Sequence, residues 1–174
     1  MQRVNVDADV FFPLPDYDTH DHEIPAFAAL GYSPILLCVF DHILTAEEAN
    51  NCGIMFYEEA RERNKLDAYF AGEKRFLSFY RDLAKEGVYL YRDDTREVWQ
   101  TSADDPEFIA VLTNSLREVH PEQLMDVYFI GPAIRARGGF DRTDLLYLRN
   151  PGYLPTLTKL VQQHGLHLLP VPQR

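Results

Sequence analysis

At 174 residues, with 46% hydrophobic and 13% aromatic content, the chain is large enough to bury a core, which argues against disorder. Its net charge of −10 argues against nucleic acid as a partner, because phosphate binding needs a basic patch. The imbalance lies entirely in residues 1–60, where eleven acids face one base, Arg3.

The two cysteines, Cys38 and Cys52, read as reduced thiols. The amino terminus has no apolar targeting core, and the longest apolar run, Ile35 to Phe40, is too short to span a bilayer. These features predict a soluble cytoplasmic protein, folded as one globular domain over residues 1–174.

In chain order, Val4 to Leu14 reads as an edge strand stopped by Pro13 and Pro15. Asp16 to Glu23 is polar and aperiodic, hence a loop. Pro25 to Leu30 holds one or two helical turns before Gly31. Ser33 to Asp41 is a short continuous apolar run, the pattern of a buried strand.

Thr45 with Glu48 forms a capping box, so a helix begins there and breaks at Gly53, with a second piece from Ile54 to Leu66. Glu73 to Glu86 puts Phe76, Phe79, Tyr80, Leu83 and Ala84 on one stripe and stops at Gly87. Val88 to Arg92 and Arg96 to Gln100 flank the turn Asp93-Asp94-Thr95, the composition of a hairpin. Asp104 or Asp105 caps a helix with Pro106 in its first turn and a stripe of Phe108, Ile109, Leu112, Leu116 and Val119.

Asp126 to Ile130, Ala133 to Arg137 and Asp144 to Arg149 follow as three adjacent antiparallel strands. Gly131-Pro132 between the first two is either a tight turn or a bend in one longer strand. Pro155 opens a last helix and Leu166 to Leu169 a closing strand. Helices and strands in this irregular order predict an α+β fold: a single layer of mostly antiparallel sheet with helices packed on one face.

Chemistry is sparse. His20 and His22, with Asp41 and His42 at a strand end, carry ligand types suited to a metal, and they define one alternative: a small metal-dependent hydrolase. No helical His-Glu-x-x-His or second ligand pair supports it, so neither metal nor cofactor is expected. Arg135, Arg137, Arg142 and Arg149 form a possible anion clamp. The simpler reading puts Arg135 and Arg137 on the outer face of the middle strand, paired with Asp141, Asp144 or a helix. Tyr57, Tyr69, Tyr89, Tyr91, Trp99 and Tyr153 exceed the needs of one core, and Tyr and Trp favour protein interfaces.

The acidic first third, the aromatic surplus and the missing catalytic motif point to a non-enzymatic binding protein. An immunity protein or antitoxin that neutralises a basic toxin or nuclease has this character. Asp16, Asp18, Asp21 and Glu23 are the expected contact loop for a basic protein partner. A structural subunit of a homo-oligomer is the remaining alternative.

Overall fold

The computed structural model describes residues 1–6, 20–92, 95, 97–119, 124–139 and 142–172, with side chains from residue 24 onward in the first helix. The first half comprises β1 (Gln2–Val4), α1 (His20–Ala29), β2 (Ser33–Cys38), α2 (Ala46–Cys52), α3 (Tyr57–Glu62) and α4 (Leu66–Leu83). The second half comprises β3 (Val88–Arg92), β4 (Glu97–Thr101), α5 (Pro106–Leu116), β5 (Asp126–Phe129), β6 (Ile134–Arg137), β7 (Thr143–Leu148), α6 (Leu154–Gln163) and β8 (His167–Leu169).

Among the described residues, eight strands form one sheet in the order β1-β4-β3-β5-β6-β7-β2-β8. Every neighbouring pair is antiparallel. The chain is an α+β fold.

Local signals place most elements. Thr45 accepts a hydrogen bond from the Glu48 amide while the Glu48 side chain bonds back to Thr45, and Gly53 ends α2 in the left-handed region at φ 65°. Asp105 caps α5 by accepting from the Glu107 amide, with Pro106 in the first turn. The Gly131-Pro132 link is a tight turn: Ala133 N–H donates to Ile130 C=O at 3.3 Å, and β5 and β6 pair on either side of it. β1 does hold a sheet edge, but it ends at Val4, and residues 7–14 of the expected strand lie outside the described residues. The turn residues Asp93, Asp94 and Arg96 lie outside them too. α1 begins at His20, inside the stretch expected as loop. A polar first turn is no bar to a helix, since acidic groups there favour the helix dipole.

β2 is the non-local strand. It inserts between β7 and β8, with Leu36 opposite both Leu145 and Leu169. Both of its neighbours come from the far end of the sequence.

The pleat sorts side chains onto two faces. Val127, Phe129, Ile134, Ala136, Leu146 and Leu148 point to one face and are buried with Phe76, Phe79, Tyr80 and Leu83 of α4, Phe108 and Leu112 of α5, and Leu157 and Val161 of α6. Phe129 is fully buried, with its ring parallel to Tyr80 at 5.7 Å and edge-on to Phe108 at 6.4 Å.

The opposite face has its own smaller core. Phe27 of α1 stacks on Tyr147 at 3.5 Å, and Tyr32, Leu145 and Leu36 complete the cluster. Arg135 and Arg137 project onto this face, as alternation requires, but they are not exposed there: they are 1% and 4% accessible. Arg135 lies beneath Phe27, its Cζ 5.2 Å from the ring centroid. Its fork closes on Asp126 of the adjacent strand, Nε at 2.7 Å and Nη2 at 2.5 Å. The expected pairing with Asp144 does not occur, because Asp144 points to the other face; Asp141 lies outside the described residues.

Phe129→Ala removes a phenyl group from the centre of the larger core. The expected loss is about 3–5 kcal/mol in urea unfolding. A loss below about 1 kcal/mol would contradict this packing.

Candidate functional site

The acidic amino-terminal third is only partly described. Asp16 and Asp18 lie outside the described residues, and Asp21 and Glu23 fall on α1 at positions whose side chains are not described. The same holds for His20 and His22.

Asp41 and His42, just after β2, are brought together with Glu48 of α2. His42 Nδ1 is 2.6 Å from Asp41 Oδ1, and its Nε2 is 3.2 Å from Glu48 Oε1. The hydrogen bond to Asp41, then that to Glu48, raises the imidazole pKa above its ordinary value. The same histidine lowers Asp41, and the Thr45 backbone amide is the main cause that lowers Glu48. Each imidazole nitrogen thus lies within hydrogen-bond distance of a carboxylate. Among the described residues no group of three or more His, Cys, Asp or Glu side chains is arranged to hold a metal ion.

A cavity of about 190 Å³ opens beside this cluster, lined by Leu36, Cys38, Phe40, His42, Met55 and Thr143 among others. The Cys38 thiol is 3.4 Å from the Thr143 hydroxyl and accepts from the Phe40 amide. The lining is mostly apolar.

The other distinctive surface is a corner where α3, α4 and the end of α5 meet. Tyr69 donates from its hydroxyl to the Leu116 carbonyl at 2.6 Å, which ties α4 to the end of α5. Arg117, one residue past α5, is held by a two-point ion pair with Glu73 of α4 at 2.6 and 2.8 Å. Its guanidinium lies over Tyr57 at 5.6 Å and over Phe70 at 5.3 Å.

Three large apolar side chains on or next to the elements that meet here are open to solvent: Phe56 at 43%, Phe70 at 37% and Val119 at 51%. Val119 is not part of the buried stripe of α5. Glu118 takes the left-handed region at φ 52°, Val119 N–H donates to Asn114 C=O, and Glu118 N–H donates to Ser115 C=O. That Schellman turn swings the chain out before Val119.

Aromatic and arginine side chains fixed by packing, next to exposed apolar ones, are the composition of a protein-binding hot spot. The sequence pointed to Tyr57 and Tyr69 as surplus aromatics. Tyr69 is buried and works as a support, whereas Phe56 and Phe70 are the exposed ones; Phe70 lies between the two expected helices, because α4 begins at Leu66 and not at Glu73. A helical stripe for α4 drawn from its first turn puts Phe70 off the buried face, and that was the available signal.

Beneath α4 sits a buried polar group. Tyr80 donates to Asp144 Oδ2 at 2.5 Å, and the Gly139 amide donates to Asp144 Oδ1 at 3.2 Å. Burial pushes the Asp144 carboxyl up to about 6, against the two hydrogen bonds and nearby Arg142, which pull it down. Burial likewise raises Tyr80, helped by the Asp144 charge. The pair locks α4 to β7.

Comparison with protein-family models, with curated proteins and with solved structures finds no match to this chain.

The Asp144 shift has a pH signature. The folded carboxyl binds its proton more tightly than the unfolded one, so its contribution is fully present below the ordinary aspartate range and is lost as pH rises through about 6. A shift of this size corresponds to roughly 3 kcal/mol. Urea unfolding of wild type and Asp144→Asn should show wild type gaining on the variant by about that amount between pH 7 and pH 4. A pH-independent difference would place Asp144 in water.

Proposed function

We propose that this protein is a non-enzymatic acidic binding protein that docks on a basic protein partner, in the manner of an inhibitor or immunity protein. The observation that carries the reading is the exposed corner of Phe56, Tyr57, Phe70 and Val119 set around the anchored Arg117. Its chemistry suits the centre of an interface, where rigid aromatic and arginine side chains lose little entropy on binding.

Charge identifies the kind of partner. Eleven acids against one base in residues 1–60, within a net charge of −10, create a field that draws a basic surface. Glu47, exposed in the first turn of α2, contributes to it from the described part. Asp16, Asp18, Asp21 and Glu23, the last two on α1, are the proposed contact segment: four carboxylates in eight residues with no lysine or arginine among them. Their mutual repulsion in the free protein is relieved by a cationic partner. The two features act differently. The carboxylates act over about 8 Å at physiological salt and govern association. The aromatic corner acts only in contact and governs dissociation.

The test uses the partner captured from the source cell and then purified. Replacing Asp16, Asp18 and Asp21 by Asn and Glu23 by Gln should slow association by about tenfold or more at low salt, an effect that shrinks as salt rises. Phe70→Ala should leave association intact and speed dissociation, weakening binding by about 2 kcal/mol. Wild-type association by the quadruple variant in low salt would reduce the charge asymmetry to a matter of solubility and contradict the proposal.

A further inference from the structure

Two of the arginines named as an anion clamp are used within the fold: Arg135 by Asp126 and Arg137 beside it. Arg142 is not. We propose that the Arg142 guanidinium is the receiving group of an oxyanion site, one that takes the phosphate or carboxylate of a small molecule.

Arg142 immediately precedes β7 and is 5% exposed. Neither Nε, Nη1 nor Nη2 has a hydrogen-bond partner. The contrast with Arg135 is direct. Arg135 is equally buried, and both of its bonds to Asp126 are made. Leaving a buried guanidinium with its donors unmet costs several kcal/mol, so such a group in a folded chain implies an acceptor that comes from outside.

The two carboxylates nearest in the electrostatic sense are bonded to other donors and not to Arg142. Glu73 is taken on both oxygens by Arg117, and Asp144 accepts from Tyr80 and from the Gly139 amide. They supply negative potential that favours the cation without supplying acceptors.

The surroundings hold the guanidinium in place. Its Cζ lies 4.2 Å from the Tyr69 ring centroid, a cation–π contact that holds the guanidinium. A Cβ on Gly72 would stand 2.5 Å from Nη2, so glycine there lets the guanidinium lie close against α4. Glycine inside a helix is unfavourable relative to alanine. Arg142 itself takes the left-handed region at φ 58°, which is unfavourable for any residue with a Cβ. Two unfavourable backbone choices thus converge on one guanidinium with its fork unfilled. A guanidinium carries donors only, and its planar fork matches two oxygens of a carboxylate or phosphate, so the ligand is an oxyanion and not a cation or an apolar molecule.

The full chain should be titrated with inorganic phosphate, and separately with acetate, against sodium chloride at matched ionic strength, following binding by calorimetry. Saturable binding of either anion is expected. Stronger binding of phosphate would identify a phosphorylated ligand, and stronger binding of acetate a carboxylate one. Arg142→Gln should weaken the preferred anion at least tenfold. If that variant does not fold, the Nε–Hε resonance of Arg142 in the wild-type chain, assigned through its side-chain carbons, decides instead. It should shift saturably with the anion. Absence of saturable binding by both anions, undiminished affinity in Arg142→Gln, or an Arg142 resonance that ignores the anion would each overturn the proposal.

Discussion

A strand in the middle of a sheet has two faces, and both must be covered. In β6 one face is met by the apolar residues Ile134 and Ala136, which join the larger core. The other face carries two arginines. Burying a guanidinium without a partner costs more than any single apolar contact returns, so that face closes only if the charge is matched in place. Asp126 on β5 does this with two parallel bonds to Arg135, and Arg137 approaches the same carboxylate at 3.8 Å. With the charge neutralised, Phe27 can lie over Arg135 and Tyr147, and α1 can seat on the sheet. The position of the chain's first helix therefore depends on one carboxylate about a hundred residues away.

The larger core fixes α4, and α4 in turn fixes the corner through Tyr69 and Glu73, which hold the end of α5 and Arg117. Phe70 follows Tyr69 directly, so a buried support and an exposed contact alternate along one turn. A rigid base of this kind allows an exposed aromatic side chain to bind without first being ordered.

Elements with local signals were legible in the sequence. The Thr45–Glu48 box, the Asp105-Pro106 start and the α4 stripe from Phe76 to Ala84 each depend on residues within a few positions. The meander of β5, β6 and β7 was legible because its turns are short and its apolar runs bounded. What was not legible depends on distance. Alternation correctly set Arg135 opposite Ile134, but nothing local says that Phe27 covers it. Val119 fits the α5 period, yet the left-handed Glu118 takes it off the helix. Asp41 and His42 are adjacent in sequence, whereas only the fold brings Glu48, which also caps α2, to the second imidazole nitrogen. Arg142 reads as a cation in the sequence, but only its burial beside Tyr69 and Gly72 distinguishes it from the other arginines.

The dependence of the second face on the Arg135–Asp126 pair is tested most directly by a double-mutant cycle in urea unfolding. Arg135→Met leaves Asp126 buried with Arg137 alone, and Asp126→Asn leaves both arginines without their carboxylate. Each should cost about 3–5 kcal/mol, and the double substitution should cost much less than their sum, because it removes both charges together. Single losses below about 1 kcal/mol that simply add would contradict the account, since they would mean that water reaches this face and α1 does not seal it.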